Sequence, residues 1–185
     1  MYIKNKNSLS FHSMKIKYQL LCLLFVLINY QFSLAQVVPT ATKNSVVTYS
    51  PVDRTTTVTQ LKAIAVERQG ISIQYFDGLG RPEQMVMVKA TSGLNDLIQP
   101  VVYDAFGRES EKHLPYEASS GTSGSFRGES TWSSAKKDFY NGMYTGEGDY
   151  AKSIINYELS PLSRVLSQQG PGKDWSGKVV SIVYG

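Results

Sequence analysis

Phe76-Asp77-Gly78-Leu79-Gly80-Arg81 returns 27 residues later as Tyr103-Asp104-Ala105-Phe106-Gly107-Arg108. Both copies read aromatic, Asp, variable, large apolar, Gly, Arg. A 27-residue period lies in the range where self-similarity marks a repeat architecture. Ile71, Ile73 and Tyr75 alternate into the first copy, Met85-Val86-Met87-Val88 leaves it, and residues 98–103 lead into the second. Period-two alternation bounded by turn residues is the signature of strands, so each unit reads as strand, tight turn, strand.

The residue types suit that geometry. An Asp opening a turn accepts hydrogen bonds from backbone N–H groups one or two residues on, which gives Asp77 and Asp104 a structural role. Gly80 and Gly107 sit where the chain needs a positive φ. Phe76 and Tyr103, with Leu79 and Phe106, are expected to bury the inner face of the hairpin. Arg81 and Arg108 are placed to reach a carboxylate of the same or a neighbouring hairpin. A binding loop is the alternative for an Asp-Gly-Arg cluster, but the apolar flanks favour architecture.

The stretch Tyr75-Phe76-Asp77-Gly78-Leu79-Gly80-Arg81-Pro82, with Gln84 following, resembles the YD-repeat motif of bacterial Rhs proteins. More specifically, the chain is similar to the domain of unknown function at the N-terminus of secreted Rhs repeat-associated proteins. The further landmarks are Tyr103 to Arg108, then Leu114-Pro115-Tyr116, Phe139-Tyr140, Ser160-Pro161-Leu162-Ser163-Arg164-Val165 and Pro171-Gly172-Lys173-Asp174-Trp175. The resemblance implies a mainly β fold of short antiparallel hairpins with one short helix, forming the leading part of a larger β-shell. It also implies a non-enzymatic structural or capping role. The partners would be downstream Rhs repeats of the same polypeptide, whose shell can enclose a C-terminal polypeptide or toxin.

The first residues read as a signal peptide. Lys15 and Lys17 form a basic region, residues 20–28 are an apolar run short for a bilayer span, and Ser33-Leu34-Ala35 places small residues before a cut at Gln36. Translation starting at Met14 gives the same signal, and an uncleaved anchor helix is the alternative. The expected division is a signal at 1–35, a loose leader at 36–44 and one β domain at 45–185, continuing into a repeat array. The protein is thus expected in the periplasm, at the cell surface or outside the cell, without stable membrane insertion. Cleavage removes four lysines and leaves 15 basic against 15 acidic residues, which withdraws the electrostatic argument for nucleic acid. Cys22 leaves with the signal, so the mature chain carries no thiol or disulfide. Residues 179–185, Val-Val-Ser-Ile-Val-Tyr-Gly, read as a strand that stops without a partner, with pairing inside a complete small domain as the alternative.

Between these ends, residues 45–50 read as a first strand, 54–59 as exposed strand or loop, and 60–67 have no decisive period. Residues 109–114 are charged enough for a solvated strand, and the Ser/Gly-dominated 119–130 reads as a flexible loop. Trp132, Ala135, Phe139 and Met143 recur at helical spacing, with Ser130 or Thr131 as N-cap and Gly142 near the end. Strands are expected again at 153–159 and 165–168.

Catalytic chemistry finds little to work with. His113 is the sole histidine of the mature chain and lies in the charged stretch, where an exposed strand residue is expected rather than a base. There is no Gly-x-Ser-x-Gly elbow, and Glu109 and Glu111 read as solvated carboxylates rather than a glycosidase pair. Zinc lacks ligands, neither Asn95-Asp96 nor Glu147-Gly148-Asp149 has calcium-loop spacing, and Gly78 to Pro82 lacks the P-loop lysine. No cofactor is expected. Trp132 and Phe139 read as core, while Tyr140, Tyr144, Tyr150 and Trp175 offer ring faces that suit a glycan or cell-surface partner.

Overall fold

A computed structural model describes residues 37–65 and 68–185. The expected signal at 1–35 lies outside the described residues. The fold is mainly antiparallel β: nine strands in two open sheets among the described residues, with two α-helices.

The first sheet holds β1 (Asn44–Pro51), β2 (Gln69–Phe76), β3 (Pro82–Met87), β4 (Asp96–Pro100) and β6 (Tyr116–Ala118), in the order β1-β2-β3-β4-β6. The second holds β5 (Glu111–His113), β7 (Lys152–Tyr157), β8 (Val165–Gln169) and β9 (Val179–Ser181), in the order β5-β7-β8-β9. Alternation sets the register: Ile71, Ile73 and Tyr75 of β2 point inward, beside Val86, Ile98 and Tyr116 of the neighbouring strands. Helix α2 (Glu129–Met143) closes this face by burying Trp132, with Ala135 and Phe139 packed behind it. Met143, expected on the same stripe, is exposed at the last residue of the helix.

Several elements depart from the sequence reading. A six-residue helix, α1 (Val58–Ala63), occupies the indecisive stretch; the Thr57 side chain caps it by accepting from the Gln60 N–H. Helix α2 starts two or three residues earlier than expected, at a Gly128 cap with no side-chain hydrogen bond. The strand expected over 98–103 ends at Pro100, and only an isolated bridge between Val102 and Glu111 continues it. The C-terminal strand has a partner: β9 pairs with β8 through Ser167–Ser181, Gln168–Val180 and Gln169–Val179, and no strand among the described residues pairs with its other edge.

Two segments expected to be loose are pinned. The loop over 119–128 lies as a strap across the first sheet, held by pegs from three successive strands. Tyr75 donates its hydroxyl to the Gly124 carbonyl at 2.6 Å. Gln84 bonds both ways with the Arg127 backbone at 2.8 and 3.0 Å, and Asp96 accepts from the Ser123 hydroxyl and the Gly124 N–H. Arg127 folds back on the carbonyls of Ser120, Thr122 and Ser125. The leader is tied to the same strap: the Thr40 N–H donates to the Tyr75 hydroxyl, and the Thr40 hydroxyl accepts from the Phe126 N–H. Ser and Gly composition marked a loop, but the buried polar groups that fix it come from the sheet beneath.

Candidate functional site

The two echoed hexapeptides fold into the same object. In the first, one oxygen of Asp77 accepts from the backbone N–H groups of Leu79 and Arg81, both at 2.9 Å. The other receives the Arg81 guanidinium through Nε and Nη2 at 2.8 Å each. In the second, Asp104 takes the N–H groups of Phe106 and Arg108 at 2.9 Å, and the Arg108 guanidinium at 2.9 and 2.8 Å. Gly80 and Gly107 stand at φ 78° and 77°, in the left-handed region. Each carboxylate is thus clasped by its own turn. The backbone N–H of Arg81 holds the Asp77 carboxyl below its usual range, and that of Arg108 does the same for Asp104.

The first clasp joins β2 to β3 within one sheet; the second carries the chain from the first sheet to the second. The aromatics Phe76 and Tyr103 are half-buried. Leu79 and Phe106 do not bury the inner face of the turn, being 80% and 71% exposed. Reversing the chain within four residues aims the side chain before Gly outward, where no facing strand can cover it.

A third clasp escaped the sequence reading. In Tyr157-Glu158-Leu159-Ser160-Pro161-Leu162-Ser163-Arg164 the acid and Arg stand two residues further apart, and Ser163 takes the positive φ, at 50°. Glu158 receives the Arg164 guanidinium at 2.9–3.0 Å, its N–H at 3.2 Å and the Ser160 hydroxyl at 2.6 Å. The Arg164 guanidinium is the largest influence drawing the Glu158 pKa down to about 2. The order aromatic, acid, apolar, small, Arg was the available signal, hidden by Glu in place of Asp and by the longer turn.

The clasps are linked head to tail. The Arg81 guanidinium lies over the Tyr103 ring at 4.3 Å, Arg108 over Tyr157 at 4.8 Å, and Arg164 over Tyr184 at 4.7 Å. Each tyrosine hydroxyl then donates to the carbonyl of the residue that follows the stacked Arg. Tyr103 reaches Pro82 at 2.9 Å, Tyr157 reaches Glu109 at 3.4 Å and Tyr184 reaches Val165 at 2.9 Å. Arg108 adds a bond to the Glu158 carbonyl at 3.1 Å. The aromatic positions 76, 103, 157 and 184 are separated by 27, 54 and 27 residues, and 54 is twice 27. The double interval contains α2. The three clasps therefore form a periodic spine running across both sheets.

A second cluster lies between α2 and the second sheet. His113, expected to be exposed, is 7% exposed and packs edge-on against Trp132 at 4.9 Å. Its Nδ1 is 3.1 Å from Nζ of Lys136, a lysine only 4% exposed, and its Nε2 is 3.4 Å from Glu111. Burial, helped by Lys136, pushes the His113 pKa down to about 4, leaving the ring neutral at ordinary pH. The charged sequence around His113 masked this burial, because the covering groups arrive from a helix more than fifteen residues away. Glu111 pairs with Lys152 at 2.7 Å, while Glu109 has no role in the cluster. Among the described residues, no group of three or more His, Cys, Asp or Glu side chains could hold a metal ion. Among the same residues, no helix is long and apolar enough to cross a membrane.

Tyr140, Tyr144 and Tyr150 border a third feature, a groove of about 280 Å³. Trp175 stands beside it, near Gly172, and Tyr144 and Trp175 are 60% and 57% exposed.

Comparison with known proteins places these features in a family. The profile of DUF6443, a domain of unknown function, matches residues 47–184, and the chain belongs to that family. No curated protein and no solved structure matches it.

Proposed function

We propose that this DUF6443 domain is a non-enzymatic structural module that begins a stacked array of β-hairpins of the Rhs/YD-repeat kind, exported through a cleaved signal. The observation that carries this reading is the periodic spine. The first two clasps each present an Arg face and a carbonyl to the tyrosine of the next, and the third does the same to Tyr184, so each unit is completed by residues that follow it. Stability in such arrays is a sum of unit and neighbour terms, and a first unit protects the edge behind it. The open side of β9 supports the same reading: Val180 is 71% exposed and Val183 92%. An incoming hairpin would pair there and continue the second sheet, building a shell able to enclose a C-terminal polypeptide or toxin.

Light scattering on residues 36–185 tests the proposal. The expected result is concentration-dependent association through β9, suppressed by Val180→Lys, since a charge on an edge strand blocks pairing. A monodisperse monomer at high concentration would overturn it. A second reading, an extracellular glycan-binding module, draws support from the tyrosine-lined groove with Tyr144 and Trp175 at its rim, because exposed ring faces suit sugar stacking. Binding to a glycan array, lost in Tyr144→Ala, would favour it.

A further inference from the structure

Independently of the array reading, we propose that the cavity between α2 and the second sheet is a binding site for a small organic monocarboxylate, whose carboxylate pairs with Lys136. The cavity measures about 190 Å³ and Lys136 lines it. Lys136 is 4% exposed, and among the described residues it has no carboxylate within ion-pair distance. Its hydrogen-bond partners are Nδ1 of a neutral His113 at 3.1 Å and the Ala151 carbonyl at 3.5 Å. A buried ammonium with no carboxylate in contact is costly, and an anion arriving from solvent to bond it directly would reduce that cost.

The surrounding charges select the ligand. The other two lysines of the wall are engaged, Lys152 with Glu111 at 2.7 Å and Lys137 with Asp149 at 2.9 Å. The carboxylates of Glu111, Glu129 and Asp149 line the same cavity and oppose a second negative charge, which disfavours phosphate. Val102 and Trp132 supply apolar wall, and the Ser133 hydroxyl a further donor, so the ligand should carry a short hydrocarbon tail. Burial and the nearby Lys152 lower the Lys136 pKa, while Glu111 and Asp149 oppose that shift. A bound carboxylate would hold the proton in place.

Thermal melts of the full chain with sodium butyrate, butyramide, phosphate and chloride at matched ionic strength test the proposal. Butyrate should raise the melting temperature saturably and shift the His113 ring resonances. Butyramide, of the same shape without charge, should need at least about tenfold more for the same effect. Lys136→Met should abolish the butyrate response, and Lys137→Met should keep it. Should Lys136→Met fail to fold, the butyrate and butyramide comparison on the native chain still decides. A butyrate effect no greater than that of chloride or butyramide, an equal effect of phosphate, or a response surviving in Lys136→Met would overturn the assignment.

Discussion

Gly107 and Gly80 share a backbone conformation but not a setting. Both hold positive φ, so Ala at either is strained, by roughly 1 kcal/mol or more. A Cβ on Gly107 would also meet the Arg81 guanidinium at 2.9 Å, whereas one on Gly80 meets open space. Thermal melts should therefore rank Gly107→Ala as more damaging than Gly80→Ala, with Gly78→Ala mildest, since its site is open and not strained. The acids of the clasps act through pH. Because the folded pKa of Glu158 lies below its ordinary 4.5, its contribution is complete above pH 4.5 and is lost as pH falls toward about 2. Glu158→Gln should flatten that part of the acid melting curve. These clasps were legible in the sequence because Asp, Gly and Arg act within one turn; the third was not, because its longer loop and Glu break the spacing.

Helix α2 is where sequence reading and structure diverge most. Its apolar stripe revealed Trp132 and Phe139, but not that Lys136 on the same helix would cover His113. That burial depends on β5 arriving beneath the helix, a tertiary event with no local signature. It also makes the element sensitive to pH. The His113 pKa falls from 6.5 in the open chain to about 4 in the fold, so the unfolded state takes up the proton first. The contribution of His113 to stability is therefore complete above pH 6.5 and falls by roughly 3 kcal/mol as pH drops from 6.5 to 4. Histidine NMR titration should place the His113 midpoint near 4, and a midpoint near 6.5 would contradict the burial argument. Trp132→Ala should cost about 3–5 kcal/mol in chemical denaturation, as expected for removing a buried indole from the core. Gly128→Asp, at a cap with no side-chain bond and room for a Cβ, should instead add a few tenths of a kcal/mol.

At the scale of the molecule, the strap and the spine divide the labour of cohesion. The strap ties the leader, β2, β3 and β4 together, and the spine carries the chain from the first sheet into the second. The proposed export belongs at this scale as well: if the chain is exported as proposed, mass spectrometry of protein recovered outside the cytoplasm should find Gln36 at the N-terminus, and an intact chain retaining residues 14–35 would contradict the proposal. The strap has a consequence in time as well as in space. The hairpins β2–β3 and β7–β8 close over short loops, but the bond from Phe126 to Thr40 joins residues 86 apart. Contacts of long sequence separation carry a larger closure entropy and slow the search. The strap is therefore expected to settle after the hairpins, and until it does the apolar side chains of Ile73 and Val88 beneath Gly124 would stay exposed to misassociation.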